Sequence, residues 1–165
     1  MQRPTELRTE RLRLRAPTLS DMSRVVALSI DPRVNRHSPS GPPTVEQSRV
    51  AVRTAIAAWD RDGIGHWLVE YDGRLAGIAG VRPAELQGET YWNVYYRFAP
   101  ETWGTGIASE AVRAALAAAR DHVPGRPFVV RTRPTNEAAM QLAQAVGLTR
   151  APRLDSNGFV TFAGP

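Results

Sequence analysis

The chain has 165 residues, 42% of them hydrophobic and 22% charged, the balance of a soluble globular protein with a core of its own. It has no cysteine, which excludes disulfides, thiolate metal sites and a cysteine nucleophile. The formal net charge of +5 comes from arginine with no lysine, spread along the chain rather than packed in one run; this suits an anionic small ligand, and no nucleic-acid partner is expected.

Residues 7–16 alternate apolar and charged positions and predict one half-buried strand, ended by Pro17. Thr18 with Asp21 forms a variant capping box for a helix whose stripe is Leu19, Met22, Val25 and Val26, stopped at Asp31-Pro32. Residues 33–43 carry three prolines and predict a loop. Thr44 and Gln47 are a second capping box, and Val45, Val52, Ile56 and Trp59 give the helix stripe that ends before Gly63. Residues 66–71 and 74–81 read as strands joined through Asp72-Gly73, a two-residue hairpin signal. Residues 83–88 read as a connection. Residues 90–98, rich in aromatic and β-branched side chains, read as a central strand. Then come a helix over 107–122, a short buried strand over 128–132, a helix over 136–146 closed by Gly147, and a hairpin from 148–153 and 158–163. The order predicts an α+β fold, a mixed but mostly antiparallel central sheet flanked by helices, in one domain covering residues 1–165. No apolar run reaches the ~18 residues of a membrane span. Residues 1–15 are too polar for a signal peptide, and the expected location is cytoplasmic.

The chemistry centres on the turn Trp103-Gly104-Thr105-Gly106-Ile107-Ala108, which links the central strand to a helix. The first amides of a helix lack intrahelical partners and the helix dipole favours negative charge there. Glycines let the backbone approach phosphate oxygens, and Ser109 adds a hydroxyl. The dinucleotide fingerprint requires a third glycine where Ser109 stands, and the mononucleotide P-loop requires a lysine. A lone Gly-x-Gly also fits a tight strand-to-helix turn with no ligand.

The surrounding residues, from Tyr96 through Trp103-Gly104-Thr105-Gly106 to Ala111, resemble the acetyl-CoA motif of the GNAT superfamily of N-acetyltransferases. Trp103 stands where that motif has Arg or Gln, as in the branch that acetylates ribosomal-protein N-termini. Asn136-Glu137-Ala138-Ala139 followed by Val146-Gly147-Leu148, and the opening Thr9-Glu10-Arg11-Leu12-Arg13-Leu14-Arg15, are similar to further segments of that branch.

The resemblance implies acetyl-CoA as co-substrate, no metal, and direct transfer to a primary amine, on a protein N-terminus or a small molecule, by a monomer or homodimer. It implies that Trp103, Gly104, Thr105, Gly106, Ile107, Ala108 and Ser109 hold the pyrophosphate. The main chain at Phe98 would pair with pantetheine and stabilise the oxyanion, and Asn136 would bind the pantetheine arm. A helix cap is the alternative role for Asn136. Candidates for the acceptor wall and base are Asn93, Tyr95, Glu89 and His66, each with an ordinary structural alternative. Asn93 stands where the branch often has Glu, Ala139 where it often has Ser, and Ala143 where GNAT enzymes often have Tyr. These departures motivate an alternative, a catalytically weak module that binds acyl-CoA.

Overall fold

The structure, a computed structural model, describes residues 3–165, so the first two residues of the amino-terminal segment lie outside it. The segment expected to be one strand is a hairpin, β1 (Glu6–Arg8) and β2 (Leu12–Arg15), with Leu7 opposite Leu14. Thr9 makes the turn: its N–H donates to Leu12 O at 3.0 Å and its Oγ1 accepts from Leu12 N–H at 3.0 Å. Charged residues flank and form that turn, so hydrophobic alternation alone does not reveal it.

Both capping boxes form. Thr18 N–H donates to Asp21 Oδ2 at 2.8 Å ahead of α1 (Met22–Ile30). Thr44 and Gln47 exchange bonds of 2.8 and 3.1 Å at the start of α2 (Val45–Asp62), which ends at Gly63 with φ +70°. The strands β3 (His66–Tyr71), β4 (Arg74–Leu86) and β5 (Glu89–Phe98) make an antiparallel meander. Asp72 and Gly73 have φ of +49° and +71°, as an Asp-Gly hairpin turn requires.

The expected connection over 83–88 is instead mostly strand. β4 runs to Leu86 and turns at Gln87-Gly88, both at positive φ. Pro83 is tolerated because its partner Trp92 points its N–H away from β4, to Pro127 O at 2.9 Å. β3 has already ended opposite Gly80, so nothing on the other side asks Pro83 for a donor.

Beyond β5 come α3 (Ile107–His122), β6 (Phe128–Thr132), α4 (Glu137–Ala145), β7 (Thr149–Arg150) and β8 (Val160–Gly164). The final hairpin keeps only two residues in β7, because Pro152–Leu154 coils into a 3-10 turn. One sheet runs through all strands in the order β1-β2-β3-β4-β5-β6-β8-β7, with β5 and β6 parallel and every other pair antiparallel. The main core lies on one face, where Leu14, Trp67, Val94 and Phe128 meet Val112 and Leu116 of α3 and Ala143 of α4. On the other face Leu68, Ile78 and Tyr95 pack against Val25 and Leu28 of α1 and Val52 of α2.

Candidate active site

The parallel pairing of β5 and β6 is short. It joins Trp92 to Phe128 and Asn93 to Val129, and then the ladder stops. Ala99 N–H donates back across β4 to Ala76 O at 2.8 Å. By strand alternation the N–H and C=O of Phe98 therefore point the other way, into the opening between β5 and β6. The sheet thus parts in its middle and exposes backbone polar groups in the gap.

The 103–109 turn lies at the end of that strand. Gly104 and Gly106 adopt φ of +76° and +80°, a region L side chains rarely enter. The next amide after Trp103 to find a carbonyl is Glu110 N–H, on Gly106 O at 3.1 Å; the amides of 104–109 have no protein acceptor among the described residues. Gly104, Thr105 and Gly106 are exposed, Ala108 and Ser109 half-buried, and Ile107 anchors its side chain in the core. A Cβ on Gly104 would meet nothing within 4 Å, and one on Gly106 would meet only the Arg11 guanidinium, at 3.4 Å.

Two supports of this turn escaped the sequence reading. Glu110 accepts from Thr9 Oγ1 at 2.5 Å, Arg11 N–H at 3.1 Å and Arg11 Nε at 2.7 Å. Burial opposes its charge, yet these bonds hold the Glu110 carboxyl below its usual range. Arg11 Nη1 then donates to Thr105 O at 3.0 Å, so the β1–β2 turn clamps the loop. Arg11, Gly106, Glu110 and Arg113 line an open hollow of about 520 Å³ beside it. In addition, the Trp103 indole N–H donates to Phe98 O at 3.1 Å, and the Arg36 guanidinium lies 4.9 Å from the Trp103 ring centroid. Partners some 99 residues apart in sequence leave no local signal.

Across the gap, Asn136 caps α4, its Oδ1 accepting from Ala139 N–H at 3.1 Å. Its side-chain NH₂ has no protein acceptor among the described residues. Tyr96 reaches from β5 under α4 and donates its hydroxyl to Ala139 O at 2.9 Å. Burial pushes the Tyr96 phenol well up. Ala143 is buried in the core, so no hydroxyl stands at the Ala139 and Ala143 positions.

The opposite face of β5 carries Tyr91, Asn93, Tyr95 and Arg97 in alternation. Tyr95 belongs to the cluster under α1 and α2, while Tyr91 packs with Val129 and Leu154. Asn93 therefore floors a groove between two packed clusters, and its side chain has no hydrogen-bond partner among the described residues. His66 stacks on Tyr95, ring centroids 4.7 Å apart. Burial, and then the charge of Arg82, push the His66 imidazole down to about 4, so it is neutral at pH 7 and weakly basic. His66, Asn93 and Tyr95 thus gather on one face. Glu89 does not join them: it accepts from the Tyr91 hydroxyl at 2.6 Å at the far end of β5, about 13 Å along the strand from Asn93.

The family model of the GNAT acetyltransferase domain matches residues 11–149. An uncharacterized protein of Bacillus subtilis (strain 168), YkkB, is 28% identical over 151 residues, 90% of this chain and 87% of its own. The acetyltransferase of Agrobacterium tumefaciens str. C58 superposes with a TM-score of 0.85 at 22% identity, covering 97% of this chain and 94% of that one. RimL, a ribosomal L7/L12 alpha-N-protein acetyltransferase solved with coenzyme A, does so with a TM-score of 0.78 at 20% identity, over 98% and 96% of the two chains. Fold and family agree, and the chain belongs to the GNAT acetyltransferases, as an acetyl-CoA-dependent N-acetyltransferase.

Proposed function

We propose that the chain transfers the acetyl group of acetyl-CoA directly to a primary amine, on a protein N-terminus or a small molecule, with the thioester laid in the gap between β5 and β6. The observation that carries this reading is the conjunction of unpaired amides at 104–109 with the end of the β5–β6 ladder after Asn93 and Val129. The amides of Gly104, Thr105, Gly106, Ile107, Ala108 and Ser109 take the pyrophosphate at the positive end of α3. Pantetheine lies along β5 as a substitute strand, within reach of the Asn136 NH₂. The Phe98 N–H faces the gap and is the donor for the oxyanion that forms as the amine attacks.

The amine nitrogen bonds to the acetyl carbon, the C–S bond breaks, and the sulfur leaves as a thiolate. The amine sheds its proton to water in the groove over Asn93, because His66 is too weakly basic and Glu89 too distant to take it. Water also protonates the thiolate, since Ala139 and Ala143 supply no hydroxyl. Tyr95, Asn93 and His66 form the acceptor wall. The likeness to RimL favours a protein N-terminus as acceptor.

The missing hydroxyls favour one second reading, an acyl-CoA-binding module with little turnover. Steady CoA release across a panel of amines and peptides decides between them. Calorimetric titration with acetyl-CoA tests the shared premise. Gly106→Asp, which sets a carboxylate against the phosphates at a position of φ +80°, is expected to abolish binding. Unchanged affinity in that variant contradicts the loop's role.

A further inference from the structure

The groove over Asn93 is rimmed by arginines that the fold does not use as ion pairs. Arg13, Arg15, Arg24, Arg33 and Arg150 each hold a carboxylate. Arg82, Arg97 and Arg131 hold none among the described residues. By strand register all three lie on the Asn93 face of the sheet. Arg82 is the cross-strand partner of Asn93 on β4. Arg97 follows Tyr95 on the same face of β5, its guanidinium 5.7 Å from the Tyr95 ring centroid.

Arg131 lies two residues beyond Val129 on β6, and so shares the face of Asn93 from the opposite lip of the gap. Its Nη2 donates to Ser156 Oγ at 2.7 Å and its guanidinium lies 5.2 Å from the Phe159 ring centroid, which fix its position without neutralising it. Two polar atoms on this face, Arg131 Nε and His66 Nε2, are buried with no hydrogen-bond partner.

The acids around this face are committed elsewhere. Glu89 is bonded to Tyr91, Asp155 to Arg150, and Asp31 and Glu101 to Arg33. Arg97 and Arg131 are half-buried and Arg82 is exposed; none makes a direct ion pair among the described residues, and only Arg131 lies near a carboxylate, that of Asp155, which Arg150 already holds. Such a set of guanidinium groups suits an anion on the ligand.

We infer that the acceptor amine carries a carboxylate or phosphate, which Arg82, Arg97 and Arg131 hold while the nitrogen points over Asn93 toward the gap. The inference rests on the acetyl-transfer reading above. The anion selects the acceptor and orients its amine, and it takes no part in the bond changes.

The test measures acetyl transfer in two matched arms. The peptide arm compares a Ser-Asp-Glu-Asp amide with a Ser-Asn-Gln-Asn amide, and the small-molecule arm compares O-phosphoethanolamine with ethanolamine. The anionic member of at least one arm is expected to have a kcat/KM roughly tenfold higher, carried by KM and eroded by salt. Preference in the peptide arm identifies an acidic protein N-terminus, and preference in the other arm a small anionic amine. The Arg82→Gln/Arg97→Gln double variant is expected to bring the ratio toward one with its Kd for acetyl-CoA unchanged. The Arg82→Gln/Arg97→Lys double variant keeps part of the preference.

Equal or reversed kcat/KM in both arms overturns the inference, as does a double variant that keeps the ratio. Acetyl-CoA binding with no transfer to any of the four acceptors overturns it as well. Failure to bind acetyl-CoA at all, by calorimetry on the same preparation, is a different result: it removes the transfer reading itself.

Discussion

His66 is placed so that its protonation state reports on the groove. Its imidazole is stacked on Tyr95 and half-buried, with Nε2 shut from solvent and Arg82 adding an unfavourable positive charge. The unfolded chain takes up a proton near pH 6.5, whereas the folded chain resists until about 4. Stability is therefore whole above pH 6.5 and falls as the pH drops toward 4, by up to about 3 kcal/mol. Chemical denaturation at pH 7.5 and pH 4.5 measures the loss, and His66→Gln should flatten it; an equal loss in that variant assigns it to other groups. At the same scale, Glu110→Ala should weaken acetyl-CoA binding although its carboxyl is spent on Thr9 and Arg11. It removes the acceptor that holds Arg11 against Thr105 O, and a loss of about 1–2 kcal/mol is expected. Gly104 and Gly106 are legible in the sequence because their backbone geometry singles out glycine. The Thr9–Arg11–Glu110 clamp is not, because its members meet only once β1–β2 folds onto α3.

Elements place these residues. The caps at Thr18 and Thr44, the stop at Gly63 and the Asp72-Gly73 turn can all be read locally, since each rests on bonds within a few residues. The β1–β2 turn and the extension of β4 through Pro83 cannot. The first rests on Thr9 in a charged stretch, the second on a register that directs the Trp92 N–H toward Pro127. The parting of β5 from β6 is also invisible in the residues of either strand. Two side chains bridge its ends: Trp103 ties the 103–109 turn to Phe98 O, and Tyr96 ties β5 to the start of α4. Trp103→Phe is expected to weaken acetyl-CoA binding about fivefold by loosening the turn. Tighter binding would mean instead that the indole competes with pantetheine for the Phe98 carbonyl. Tyr96→Phe leaves Ala139 O without this donor, and faster hydrogen exchange in the first turn of α4 is the expected readout.

At the scale of the molecule, the sheet divides the labour. One face carries the core against α3 and α4, and the other carries the groove between α1–α2 and the 3-10 turn at Pro152–Leu154. The groove side is held at its outer edge by a buried ion network. Asp21, 1% exposed, accepts from both Arg15 Nη atoms at 2.9 and 2.7 Å, and Arg15 also reaches Glu70. The Arg15 guanidinium, with Thr18 and Arg24, holds the Asp21 carboxyl far below its ordinary 3.8. Its contribution is thus present above about pH 4 and lost only in stronger acid, a window below that of His66. Asp21→Asn should cost about 2 kcal/mol at pH 7, because Arg15 keeps Glu70 but loses its two bonds to a buried carboxylate, and urea unfolding measures it.

Amino-acid order made the fold class and the glycine turn at 103–109 legible, because cap, turn and Gly-x-Gly signals are local. On the other face of β5 only Asn93, Tyr95 and His66 were legible; the arginines proposed to hold the acceptor are brought there by strand register and set apart by which carboxylates other arginines occupy. The most direct test of the whole account is amide hydrogen exchange with and without acetyl-CoA. Protection concentrated at residues 104–109 and on the gap-facing amides of β5, Phe98 among them, is the predicted result. Protection elsewhere, with those amides exchanging as fast as in the free protein, would contradict it.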